Sequence, residues 1–97
     1  MKNIKSVDIF GSLVPIDFMD NLHKEIDADG VFCEVNKTIK IDSSLEDMIL
    51  VATILHEVGH AIFDRIGLGQ GVAKEYEETL VEAFATCITE NFIIKPR

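Results

Sequence analysis

Basic residues are scarce in this chain. Nine Lys and Arg stand against 17 Asp and Glu, for a formal charge of −8. A surface that tracks phosphates needs clustered cations, so nucleic acid is not an expected partner. Long apolar runs are also lacking. None reaches the roughly 18 residues that cross a bilayer, and Asp8 interrupts the only apolar stretch near the start. No membrane partner and no secretory leader are expected. Cysteine is limited to Cys33 and Cys87, far apart and without Cys-x-x-Cys spacing. That excludes a disulfide framework and a zinc knuckle made of cysteines. The expectation is a cytoplasmic protein whose two thiols stay reduced and pack as small buried apolar groups. Repeats, low-complexity tracts and Pro/Ser-rich linkers are missing as well, which leaves one domain over residues 1–97. What remains is an ordinary globular balance, 47% hydrophobic and 27% charged.

The pattern of apolar residues divides the chain into short elements. "IKSVDIF" alternates well enough for a strand, punctuated by Gly11 and Ser12. Pro15 suits the first position of a helix, "PIDFMDNLHKEID", with Phe18, Met19, Leu22 and Ile26 as its apolar stripe. "DADG" ends it. "VFCEV" and "TIKI", joined through Asn36 and Lys37, read as a hairpin. "DSSLEDMILVATILHEVGHAIFDRIG" is the longest periodic stretch. Ser43 or Ser44 is its expected cap, Glu46 and Asp47 lie in its first turn, and Gly67 is its C′ residue. A glycine-rich connection, Gly67 to Gly71, leads to a last helix, "VAKEYEETLVEAFATCITENFI", stopped by Pro96. Its apolar arc is Val81, Phe84, Ala85, Ile88 and Phe92. Short strands with helices in this order make an α+β fold.

The chemistry concentrates in "HEVGH". Residues i and i+4 of a helix share a face, so His56 and His60 can converge on one metal ion. Zinc accepts imidazole nitrogen at about 2.0–2.1 Å. Glu57 lies about 100° round the helix from His56. It is poorly placed as a ligand from the same turn but can reach a metal-bound water, which is the position of a general base. Zinc lowers the pKa of such a water to about 7. The expected reaction is hydrolysis of a peptide bond.

A catalytic zinc takes three protein ligands and keeps one open position. His23, on the first expected helix, reads as a partly exposed histidine. The last helix offers glutamates. Glu78 falls at the edge of the apolar arc and Glu82 one turn further on, slightly further out. Glu77 falls within the arc, but in the first turns, where a long side chain still reaches water. Glu78 is therefore the first choice of ligand and Glu82 the second. With Glu78 on the metal, Glu82 can accept a hydrogen bond from the other nitrogen of a ligating histidine.

"TILHEVGHAIF" followed by "EETLVEAFATCI" resembles the gluzincin-type zinc metallopeptidases, most closely the small ImmA/IrrE-like proteins of phages and mobile elements. The resemblance covers roughly residues 30–92. It implies a minimal zincin-like fold, with short antiparallel strands packed on the HExxH helix and a following C-terminal helix. It also implies a Zn2+ cofactor, His56 and His60 as ligands, and Glu57 as catalytic base. The first glutamate of the family's second motif falls on Glu78, its small residue on Val81, and its Phe-Ala on Phe84 and Ala85. Its Asn/Asp position falls on Glu82, a departure that leaves both glutamates open as third ligand. The resemblance further implies that "TIKI" or "VFCEV" lines a cleft to which a protein or peptide substrate adds as a strand.

Three functions therefore compete. One is a zinc peptidase, its carbonyl-stabilising donor left to Tyr76, His23 or Arg65. Another is a weak or inactive zincin-fold regulatory module that binds a protein partner. The third is a structural zinc site closed by Cys33 or Cys87.

Overall fold

The computed structural model describes residues 2–68 and 71–95. The elements are β1 (Ser6–Ile9), β2 (Ser12–Met19), α1 (Leu22–Ile26), β3 (Gly30–Cys33), β4 (Thr38–Asp42), α2 (Asp47–Arg65) and α3 (Lys74–Asn91). They form an α+β fold around one four-stranded sheet in the order β1-β2-β4-β3. The sheet is mixed, not all antiparallel as expected. The β1/β2 and β3/β4 pairs are antiparallel, whereas β2 and β4 run parallel.

The expected helix from Pro15 to Asp27 is mostly strand. Val14 and Ile16 are buried and Phe18 half-buried, while Leu13, Pro15 and Asp17 face out. That is period-two burial. Of the supposed helical stripe only Leu22 is buried, and Met19 and Ile26 are exposed. Proline is tolerated because of where it stands. Backbone N–H groups alternate sides along a strand, and Ile16 N donates back to Lys5 O at 2.9 Å. The Pro15 nitrogen therefore faces the β4 side, where pairing begins only at Ile16↔Ile39. No ladder donor is required of it there.

Two hairpins build the sheet. In the first, Ile9 pairs with Ser12, so Phe10 and Gly11 make a two-residue turn with φ of 51° and 88°. A type I′ turn demands positive φ at both positions. In the second, Cys33 pairs with Thr38. The connection is thus Glu34–Lys37, longer than the expected Asn36-Lys37 pair. Helix α2 lies across the sheet, touching β1, β3 and β4. Ile39 and Ile41 are fully buried beneath it, packed with Ile9, Val14, Ile16, Leu50 and Ile54. Each such side chain contributes about 1.5–3 kcal/mol by leaving water.

Neither Ser43 nor Ser44 caps α2. Their hydroxyls donate to carboxylates instead, Ser43 to Asp20 and Ser44 to Asp42 (2.6 Å). Glu46 takes the N-cap position with no side-chain cap bond. Asp42, 3% exposed, is the hub of this corner. It accepts the amide of His23 at the start of α1 (2.7 Å) and the amide of Ser44 (2.9 Å). At the far end Gly67 follows the helix with φ 83°, in the expected C′ role. Gly69 and Gln70 of the glycine-rich connection, and Pro96, lie outside the described residues.

Helix α3 packs on α2 through Glu77, Val81 and Ala85. The expected arc is therefore wrong in part: Phe84 and Phe92 are 57% and 61% exposed. The contact is close and suits small side chains. A Cβ on Gly59 would lie 2.9 Å from Val81 Cγ1. No helix among the described residues is long and apolar enough to cross a membrane.

Candidate metal centre

The close helix pair brings the chemistry together. Helix α2 presents His56 and His60 on one face, and α3 places Glu78 against both rings. Glu78 Oε1 lies 2.6 Å from His56 Nε2, and Oε2 lies 3.0 Å from His60 Nε2. The two Nε2 atoms are 3.2 Å apart. His56, His60 and Glu78 form a group that can hold a metal ion.

The far sides of the rings decide what the near sides can do. His56 Nδ1 lies 2.8 Å from Glu82 Oε2, and His60 Nδ1 lies 2.5 Å from Glu77 Oε2. Carboxylates only accept, so each Nδ1 carries the proton and donates it. A neutral ring then keeps its lone pair on Nε2. Two such lone pairs face each other across 3.2 Å with a carboxylate beside them. A metal ion among the three groups relieves their mutual repulsion, as does a proton on Nε2 donated to Glu78.

The spacing fits a small ion. Donors held by one zinc at about 2.0–2.1 Å stand about 3.3 Å apart along a tetrahedron edge. The Nε2–Nε2 and Nε2–Oε2 separations of 3.2 and 3.0 Å match. Glu78 Oε1 stands closer to His56, at 2.6 Å, on a side chain that is 58% exposed.

Glu57 sits next to this group but apart from it. It is 7% exposed. Burial pushes its carboxyl above the usual range; His56 and His60 pull the other way, Glu78 adds to the rise, and the Phe32 amide opposes it. Its side chain fills space that only a glycine leaves free, since a Cβ on Gly30 would lie 3.2 Å from Glu57 Cγ. The cavity in front holds about 580 Å3. Its floor is α2 with His56, Glu57 and His60. One wall is β3 with Gly30, Val31 and Phe32, and the other is α3 with Glu78 and Glu82. Lys74 reaches across one end to Glu34 at 3.3 Å.

Of the two strands expected to line the cleft, β3 does so and stands at the sheet edge, while β4 is internal. Several other expected groups are elsewhere. His23 pairs with Asp29 at 3.0 Å, in a separate pocket. Tyr76 and Arg65 are exposed and do not line the cavity. Cys33 and Cys87 are free thiols outside the cavity, half-buried and exposed respectively. They are not the buried apolar groups expected, and neither closes the metal group.

Glu77 is the residue that sequence reasoning missed. It was expected to reach water; it is 4% exposed and bound to His60. The available signal was its register. Glu77, Val81 and Ala85 recur every four residues, so Glu77 belongs to the packed seam and needs a polar partner there. Comparison with protein-family models, curated proteins and solved structures finds no match for this chain.

Proposed function

We propose that this chain is a zinc-dependent peptidase of the minimal zincin kind. The observation that carries the reading is the convergence of the two Nε2 atoms with Glu78 on one point, while Glu82 and Glu77 hold the Nδ1 sides of the rings. His56, His60 and Glu78 would hold the ion. A bound zinc supplies an acidified water and a positive charge for the scissile carbonyl. Glu57 takes a proton at its carboxylate and passes it to the nitrogen of the leaving amine. Glu57 stands in the cavity floor beside both histidines, a position from which a carboxylate can take up and release that proton. Among the described residues the outer edge of β3 has no partner strand, so an extended peptide can pair with it and lie across Glu57.

The test combines metal content with peptide hydrolysis. We expect about one zinc per chain, and hydrolysis that disappears in Glu57→Gln while zinc stays bound. A folded chain that takes up no divalent ion refutes the proposal.

One observation favours a second reading, a zincin-fold module that binds a protein partner without cutting it. None of Tyr76, His23 and Arg65 lines the cavity to support a developing oxyanion. Under that reading Glu57→Gln leaves the biological effect intact.

A further inference from the structure

Helix α3 contributes three carboxylates to the centre, and they differ in burial. Glu78 and Glu82 have side chains 58% and 65% exposed, whereas that of Glu77 is 5% exposed. Glu82 Oε2 meets His56 in the presence of solvent, steadied by a 3.4 Å contact from Thr86 Oγ1 to Oε1. Glu77 meets His60 largely away from solvent, and among the described residues its other oxygen, Oε1, is buried with no hydrogen-bond partner. An unpartnered buried acceptor costs about 1–3 kcal/mol. Packing does not require a carboxylate here, since an apolar side chain in line with Val81 and Ala85 would fill the seam without that cost. What the carboxylate adds is a single fixed contact, to His60 Nδ1.

We propose that Glu77 is the positioning residue of the centre. It holds the His60 ring in the Nδ1–H tautomer and aims Nε2 at the point shared with His56 and Glu78. Water competes weakly for a buried charged acceptor, so its hydrogen bond constrains the ring more than that of Glu82. The ligand-orienting role is therefore unequal: Glu77 governs His60 strongly, and Glu82 governs His56 weakly. The inference rests on the proposed metal site, but its structural half can be read without metal.

The experiment compares wild type with Glu77→Leu, Glu77→Gln and Glu82→Leu. Three quantities are measured on each: stability of the metal-free chain, Zn2+ affinity by chelator competition, and histidine tautomers by long-range 1H–15N correlation. Glu77→Leu is expected to change metal-free stability little, because losing a half-satisfied buried charge offsets losing the acceptor of His60 Nδ1–H. It should weaken Zn2+ binding about 10- to 100-fold, the usual cost of losing a carboxylate behind a metal-bound histidine. Glu82→Leu should cost less than Glu77→Leu. Glu77→Gln, whose amide oxygen still accepts from Nδ1–H, should recover part of the affinity. His60 should show Nδ1–H in wild type and a mixture of tautomers in Glu77→Leu. A role in folding alone would lower metal-free stability and leave the tautomer unmoved, which overturns the proposal. So does a Glu82→Leu loss equal to or larger than that of Glu77→Leu. If wild type binds no Zn2+, the peptidase reading fails, and the tautomer measurement alone decides the role of Glu77.

Discussion

Substituting Gly59 tests whether the seam between α2 and α3 assembles the centre. A Cβ there would lie 2.9 and 3.0 Å from the two Val81 methyls and 3.4 Å from Val81 Cβ. Valine in a helix has one strongly preferred rotamer, so the methyls cannot turn away and α3 has to back off. Overpacking of this kind costs about 1–3 kcal/mol. Against it stands the gain from replacing glycine by alanine inside a helix, about 0.8–1 kcal/mol. The sign of the outcome is therefore informative. With the close approach, Gly59→Ala should destabilise by up to about 2 kcal/mol; without it, the variant should be stabilised by about 1 kcal/mol. The same retreat draws Glu77 and Glu78 away from the histidines, so Zn2+ affinity should fall as well. Adding Val81→Ala removes both methyls and leaves the 3.4 Å contact, which is ordinary van der Waals distance. The double variant should then be more stable than the two single effects predict, since contacting residues couple by about 0.5–3 kcal/mol. Chemical denaturation and chelator competition on the four proteins give both readouts. A Gly59→Ala chain that is more stable than wild type, with unchanged Zn2+ affinity, refutes the seam argument.

Other predictions follow from the same geometry. The Asp42 carboxyl falls from 3.8 to about 2, chiefly through the Ser44 hydroxyl and the His23 and Ser44 amides. Its contribution to stability is therefore full above about pH 4 and lost as pH falls towards 2. Asp42→Asn should flatten the loss of stability across that window, measured by denaturant titration at several pH values; an unchanged slope contradicts the hub. Helix α3 buries only Val81 and Ala85 as apolar groups. Chelation should therefore speed hydrogen exchange of α3 amides far more than that of β4, and equal protection with and without metal counts against a metal-dependent docking. A Cβ at Gly30 would also lie 2.9 Å from Thr53 Cγ2. Gly30→Ala should displace Glu57, lowering hydrolysis more than Zn2+ affinity; equal losses would point to a general disruption instead.

The fold was legible where structure is local. The hairpin at residues 31–41 and both long helices follow from short-range alternation and period. The stretch from Pro15 was misread because two periods overlap in it. Phe18, Met19, Leu22 and Ile26 have helical spacing, while Val14, Ile16 and Phe18 have strand spacing. What decides between them is the parallel partner β4, about 23 residues away in sequence. Nothing local announces that pairing, and tertiary context overrides propensity there. The serine caps failed for a related reason: their hydroxyls are taken by Asp20 and Asp42, the first of them 23 residues distant.

The centre divides along the same line. His56, Glu57 and His60 needed only one helix, and Glu78 and Glu82 needed only an estimate of which side of α3 faces inward. That estimate leaned on Phe84 and Phe92, the largest apolar side chains available, and both are exposed. The face of α3 is set by closest approach and not by hydrophobic weight. Gly59 removes the side chain that would hold the helices apart, so the residues that fit opposite are small, Val81 and Ala85. Glu77 already lies on that line, and the close approach is what keeps its side chain from water. The short distance between the helices thus does two things at once. It buries the Glu77 carboxylate against His60, and it brings Glu78 within reach of both Nε2 atoms.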